Sequence, residues 1–153
     1  GGTPPPAGVV AIAPHVYVEH GRTDVGIRAA GEAYARKDDR LRRALYRAHA
    51  RPDDVLHAWH DTWLSPAFAD WNVTSDCATI RVPVVAAQGD NDEYFFMSQV
   101  DALATAAHRA ASFTRIVLRS CGHNPFPTHT PQLVDIIART HAALAWSPRV
   151  ALA

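Results

Sequence analysis

The chain has only two cysteines, Cys77 and Cys121, in 153 residues. Two isolated thiols make neither a disulfide framework nor a CxxC metal knuckle, which excludes a disulfide-stapled scaffold. They read as ordinary reduced thiols of an intracellular protein, so the expected compartment is the cytoplasm. Long apolar runs are also missing: nothing approaches the ~18 residues of a membrane span. No leader with a basic, an apolar and a small-residue part opens the chain, which begins Gly1-Gly2-Thr3-Pro4 without a methionine. Nor is there an excess of one charge. Lys and Arg number 15, Asp and Glu 15, so no net field favours nucleic acid or an anionic membrane, and neither is an expected partner. A basic stretch at 36–51 is flanked by Asp38, Asp39, Asp53 and Asp54. It does not interleave aromatics with charge in the manner of a single-strand binder, and reads as a solvated helical face.

What is present is enough for one globular core: 48% of residues are hydrophobic and 20% charged. Thr3-Pro4-Pro5-Pro6 is a loop, because proline lacks the amide donor and fixes φ. It feeds an apolar run at 8–13 that reads as a buried strand ended by Pro14. Three helical patterns follow between Asp24 and Trp63. Leu41 and Leu45 recur at four-residue spacing in the second; Val55, Leu56, Trp59 and Trp63 share one face of the third, where Pro52 and Asp53 mark the start. Residues 65–79, with Pro66, Phe68 and Trp71, read as irregular. A strand at 82–88, a helix at 97–108, a strand at 114–118 and a last helix from about Pro131 to Trp146 complete the pattern, with Pro131 as a first-turn proline. Apolar strands alternating with helices make an α/β class with three parallel strands and crossover helices.

The chemistry gathers where two strands stop. The run Val84-Val85-Ala86-Ala87-Gln88 ends at Gly89 and releases Asp90, Asp92 and Glu93 into a turn; Ile116-Val117-Leu118 leads into Cys121-Gly122-His123-Asn124-Pro125. Open α/β sheets carry their chemistry on loops at the strands' carboxyl ends, so an Asp and a His there can meet although distant in sequence. Asp is also a favoured turn residue because it bonds its own backbone, and Asp90 competes with Asp92 for the role. Gly122 and Pro125 fix the turn around His123. His57 and His60 lie one helical turn apart beside Asp61, but no third ligand at metal-site spacing accompanies them, and no metal site is expected. His15 and Tyr17, just past the first strand, read as pocket-floor residues, His15 as a satisfied structural or pocket-wall histidine. Trp59, Trp63, Phe68 and Trp71 concentrate aromatics in the helical region, to pack its core or to wall an apolar acyl group.

Taken together, the run Val9-Val10-Ala11-Ile12-Ala13-Pro14-His15, the Trp-rich helical segment, Gly89-Asp90-Asn91-Asp92 and Gly122-His123 resemble the C-terminal half of α/β-hydrolase fold enzymes. The resemblance implies that residues 1–20 hold strand six, 21–79 a helical cap insertion, and 80–153 the core with strands seven and eight. The family triad runs Ser, then Asp or Glu, then His. It would make Asp92 the acid and His123 the base, with His15, Tyr17, Trp59, Trp63 and Trp71 around a small carboxylic ester, lactone or related carbonyl substrate, and no cofactor. The nucleophile elbow G-x-S-x-G is absent: Ser65, Ser75, Ser98, Ser112, Ser120, Ser147 and both cysteines lack its flanking glycines. Related families carry Asp at the elbow, as in dehalogenases and epoxide hydrolases, or cleave carbon–carbon bonds, so the reaction stays open. The expected reading is the C-terminal portion of a serine hydrolase, inactive alone; the alternative is a non-enzymatic binding or interaction module on the same fold. In either case the first strand would offer an apolar edge for self-association or for a complementing N-terminal segment.

Overall fold

The computed structural model describes residues 6–36 and 40–145. Three apolar segments pair as one parallel sheet in the order β1 (Val9–Ile12), β2 (Val84–Gly89), β3 (Phe113–Leu118), with Val9 opposite Val84 and Val84 opposite Phe113. The middle strand is buried along almost its whole length, which is why it reads as a continuous apolar run. Successive residues of β2 serve opposite faces. Ala86 joins Val16, Val100, Leu103 and Ala107 on one side; Ala87 joins Leu118, Cys121 and Leu133 on the other. Small side chains at both positions let the covering helices approach. These are α5 (Met97–Ala106), which supplies Val100 and Leu103, and α6 (Phe126–Ala145), which supplies Leu133. Among the described residues β1 pairs with β2 alone and its other edge is unpaired.

Between β1 and β2 the chain makes a helical insertion of α1 (Thr23–Ala35), α2 (Arg40–Ala48), α3 (Pro52–Leu64) and a single-turn α4 (Thr74–Cys77). α1 buries Thr23, Ile27, Ala30 and Tyr34, a three- and four-residue spacing that lays one stripe inward. α3 starts on Pro52 with Asp53 and Asp54 in its first turn, where a missing donor costs nothing and carboxylates suit the helix dipole. The two helices close on each other at Gly31, where a Cβ would run into the His60 ring. The chain returns to the core beside its own entry strand: Val18 N–H donates to the Trp71 carbonyl and Val73 N–H to that of Val16.

Three expectations need correction. The last helix begins at Phe126, not Pro131; it is kinked at His129, whose backbone leaves the helical region, and Pro131 sits just past the kink. Proline there opens a second helical segment rather than the helix itself. Trp146 lies outside the described residues. Segment 65–79 is more ordered than expected, carrying a 3₁₀ turn (Pro66–Phe68) and α4.

Candidate active site

The loop after β2 is built by Asp92. Its carboxylate is buried, and Oδ1 accepts the backbone N–H of Tyr94 and of Phe95, both at 2.9 Å. This is the self-bonding turn that Asp favours. Oδ2 is turned the other way and accepts Nδ1 of His123 at 2.9 Å and Nε2 of Gln88 at 2.5 Å. Gln88, fully buried on β2, also donates to the Phe95 carbonyl at 3.2 Å and so ties strand to loop. Burial pushes the Asp92 carboxyl up, but the hydrogen bond from His123 and the two backbone N–H groups outweigh it and hold the acid below the ordinary range.

The loop after β3 is laced onto the first by backbone. Asp90 N–H donates to the Leu118 carbonyl and Asn91 N–H to that of Cys121. His123 N–H donates to Glu93 Oε2 at 3.0 Å. Gly89 is required where the loops cross, since a Cβ there would collide with the carbonyl groups of Cys121 and Gly122. Ser120 turns the chain with φ of 55°. The outcome is a His123 ring whose Nδ1–H is spent on Asp92 while the side chain keeps about a third of its surface, 32%, exposed. The neutral ring therefore carries its lone pair on Nε2, the arrangement of a general base oriented by a carboxylate.

His15 is connected to this pair through Phe95. The His15 ring stacks on Phe95 at 4.4 Å, and Phe95 lies 5.3 Å from the His123 ring. Trp63 and Trp71 close around His15 at 4.8 and 5.6 Å. Desolvation, then the neighbouring His123, lower its pKa, with Asp92 opposing weakly. Its Nδ1 is buried with no hydrogen-bond partner among the described residues, so His15 is not the satisfied histidine that was expected.

The other site candidates separate. Trp59 meets Tyr94 edge-on at 5.5 Å, and both line a cavity of about 200 Å³ that reaches the His123 ring. Trp63 and Trp71 belong to the aromatic cluster with Phe68, and Tyr17 packs against the core under α5. Both His57 and His60 hydrogen-bond Asp61 through Nδ1; no group of three or more potential metal ligands occurs among the described residues. Gln88, Tyr94 and Phe95 are site residues that sequence reasoning did not single out. Phe95 and Tyr94 follow Asp92 in the turn it makes, and that was the available signal.

No family model matches the sequence, and no curated protein is detectably similar to it. Solved structures are similar in fold. NosK from Streptomyces actuosus superposes with a TM-score of 0.67 at 12% identity, over 91% of this chain and 59% of that one. An α/β fold family hydrolase from Bacillus anthracis gives 0.57 at 13% over 88% and 58%, and the esterase RhEst1 from a Rhodococcus species 0.54 at 18% over 90% and 56%. This chain thus spans less than three-fifths of the length of each. No helix among the described residues is long and apolar enough to cross a membrane. Parallel strand order, helix placement and these likenesses agree on the fold alone: the chain shares the α/β fold of these structures over part of their length.

Proposed function

We propose that the chain is the C-terminal portion of a serine α/β-hydrolase that cleaves a small carboxylic ester, lactone or related carbonyl compound. The observation that carries this is the buried Asp92 carboxylate on Nδ1 of a His123 whose side chain is one-third exposed, at the carboxyl rim of a parallel sheet. His123 Nε2 takes the proton of a serine hydroxyl as that oxygen attacks the carbonyl, then returns it to the departing alkoxide. Asp92 holds the ring in the one useful tautomer and stabilises the imidazolium between the steps. The nucleophile is not among the serines of this chain, none of which has elbow glycines, so residues 1–153 alone bind but do not turn over. The helical insertion acts as the cap, bringing Trp59 over the base.

The test is the protein encoded by the whole reading frame that contains this chain, assayed with p-nitrophenyl acetate and butyrate. His123→Ala lowers kcat/KM by about 10³-fold or more, and Asp92→Asn by a comparable factor through loss of the tautomer. Activity untouched by His123→Ala overturns the reading. A second reading, a binding or interaction module on the same fold, is favoured by the missing G-x-S-x-G. It gains if that reading frame holds no elbow at all. The unpaired edge of β1 supports a further part of the proposal, that this edge takes a complementing strand or a second copy. A monodisperse monomer by light scattering counts against it.

A further inference from the structure

The helix α2 has two unlike sides. Leu41 and Leu45 line the cavity of about 200 Å³ together with Val55, Leu56 and Trp59 of α3, and with Tyr94 and His123 of the core. Arg40, Arg43 and Arg47, on the opposite side at about 3.6 residues per turn, line a separate cleft with Tyr46. Arg42, between the two sides, is engaged with Tyr46 and Tyr34. Among the described residues no lysine, arginine, aspartate or glutamate lines the cavity itself. A charged group entering it would lose its hydration against four aliphatic side chains, with polar atoms in reply only on Trp59, Tyr94 and His123 among these residues.

Size sets a second limit. A cavity of about 150 Å³ with an apolar lining accommodates a benzene ring, whereas pockets for drug-sized ligands run from about 300 Å³ upward. A larger cleft of about 590 Å³ lies elsewhere in the insertion, but its lining carries charge, with Arg28, Glu32, Asp53 and Asp61, and it does not include His123.

From these features we infer that Leu41 and Leu45 determine specificity: they restrict the substrate to an uncharged apolar group of about one ring's volume, held against Trp59 beside the base. This inference rests on the proposed hydrolase reading for its meaning, since the group held is then the one next to the scissile carbonyl. The cavity itself exists in this chain and is tested without turnover. Trp59, which meets Tyr94 edge-on, supplies one part of the lining; the two leucines of α2 supply another. Their side chains are half-buried, so larger residues fill the cavity without entering the sheet core.

The experiment titrates residues 1–153 with benzyl alcohol, benzoate and 1-naphthol, followed by the methyl resonances of Leu41, Leu45 and Val55 and the indole N–H of Trp59. Benzyl alcohol shifts these signals saturably, while benzoate and 1-naphthol bind at least tenfold more weakly. Leu45→Trp fills the cavity and weakens benzyl alcohol at least tenfold; Leu41→Phe, a smaller change, does so to a lesser degree. Arg47→Ala, on the outer side of α2, leaves the titration unchanged. Equal binding of benzoate and benzyl alcohol overturns the inference, as does undiminished binding to a folded Leu45→Trp variant or shifts confined to residues outside the cavity. If the alcohol binds as stated while His123→Ala leaves turnover of the whole reading frame intact, the hydrolase reading fails and the cavity stands. Turnover that needs His123 with no cavity binding gives the reverse.

Discussion

Asp92 and Asp53 are both hydrogen-bonded carboxylates held below the ordinary range, yet they are held by different kinds of partner. Asp92, in the rim of the sheet, is fixed by two backbone N–H groups before it meets any side chain other than Gln88 and His123. Asp53, on the insertion, is held by side chains: the hydroxyl of Tyr34 at 2.6 Å, that of Tyr46 at 3.2 Å, and Arg42 at 3.9 Å. Arg42 in turn lies over both tyrosine rings. Backbone anchoring gives one geometry, set when the strands pair. Side-chain anchoring costs rotamer entropy at each member and is screened where it meets water. The two regions should therefore fail differently.

The largest effect is expected in the sheet. Leu133→Ala empties a buried site between α6 and β2 and should cost about 2–5 kcal/mol by urea unfolding. If the loss is no greater than that of an insertion variant, the sheet is not the more rigid region. Gly89→Ala comes next, about 1–3 kcal/mol, because its Cβ meets the Cys121 and Gly122 carbonyls. It should also part the two loops, seen as a changed His123 ring resonance. Asp53→Asn should cost less than either and leave that resonance in place. A shift in the His123 signal would show that the insertion network reaches the site.

The pH response should divide along the same line, with smaller amplitudes. The Asp92 acid is depressed in the folded state, so its contribution is complete above the ordinary carboxylate pKa of about 4 and is lost as pH falls through its own lower value. His15 acts in the same direction but earlier. Its lowered pKa means the unfolded chain binds the extra proton first, so stability falls as pH drops below about 6.5 and levels off once the folded ring is protonated. His15→Phe should flatten that part of the stability curve. Tyr34 acts at the other end. Burial and the Asp53 carboxylate push its phenol up to about 12. Its contribution is present below the ordinary tyrosine value of about 10 and lost between that and its folded value. Ultraviolet titration should show a delayed step for the Tyr34 phenol, and Tyr34→Phe should remove it. Acid should therefore loosen the rim first and alkali the insertion.

How much of this was legible in the sequence follows the same division. The middle strand was, because burial on both faces leaves a continuous apolar run, Val84-Val85-Ala86-Ala87. The meeting of Asp92 and His123 was legible too, because both stand in loops at the carboxyl ends of neighbouring strands. The choice between Asp92 as a turn residue and Asp92 as the partner of His123 dissolves in the structure, since Oδ1 makes the turn while Oδ2 meets His123 and Gln88. Less legible was anything settled by packing between helices. Trp59, Trp63 and Trp71 form one cluster of aromatics in the sequence, but only Trp59 reaches the cavity beside His123, because a neighbour in sequence can point to another face of the insertion. The kink at His129 was hidden by Pro131, which signals a helix start equally well after a kink as at a true beginning.

The edge of β1 left unpaired among the described residues works as a ruler. Strands in a sheet stand about 4.8 Å apart, and parallel ones all finish on the same side. A strand that docked along β1 in parallel would deliver the loop at its carboxyl end to the rim that already holds Asp92 and His123, one strand spacing beyond Ile12. The position of a newcomer's chemistry relative to the histidine is then fixed by counting strands, before any side chain has been chosen.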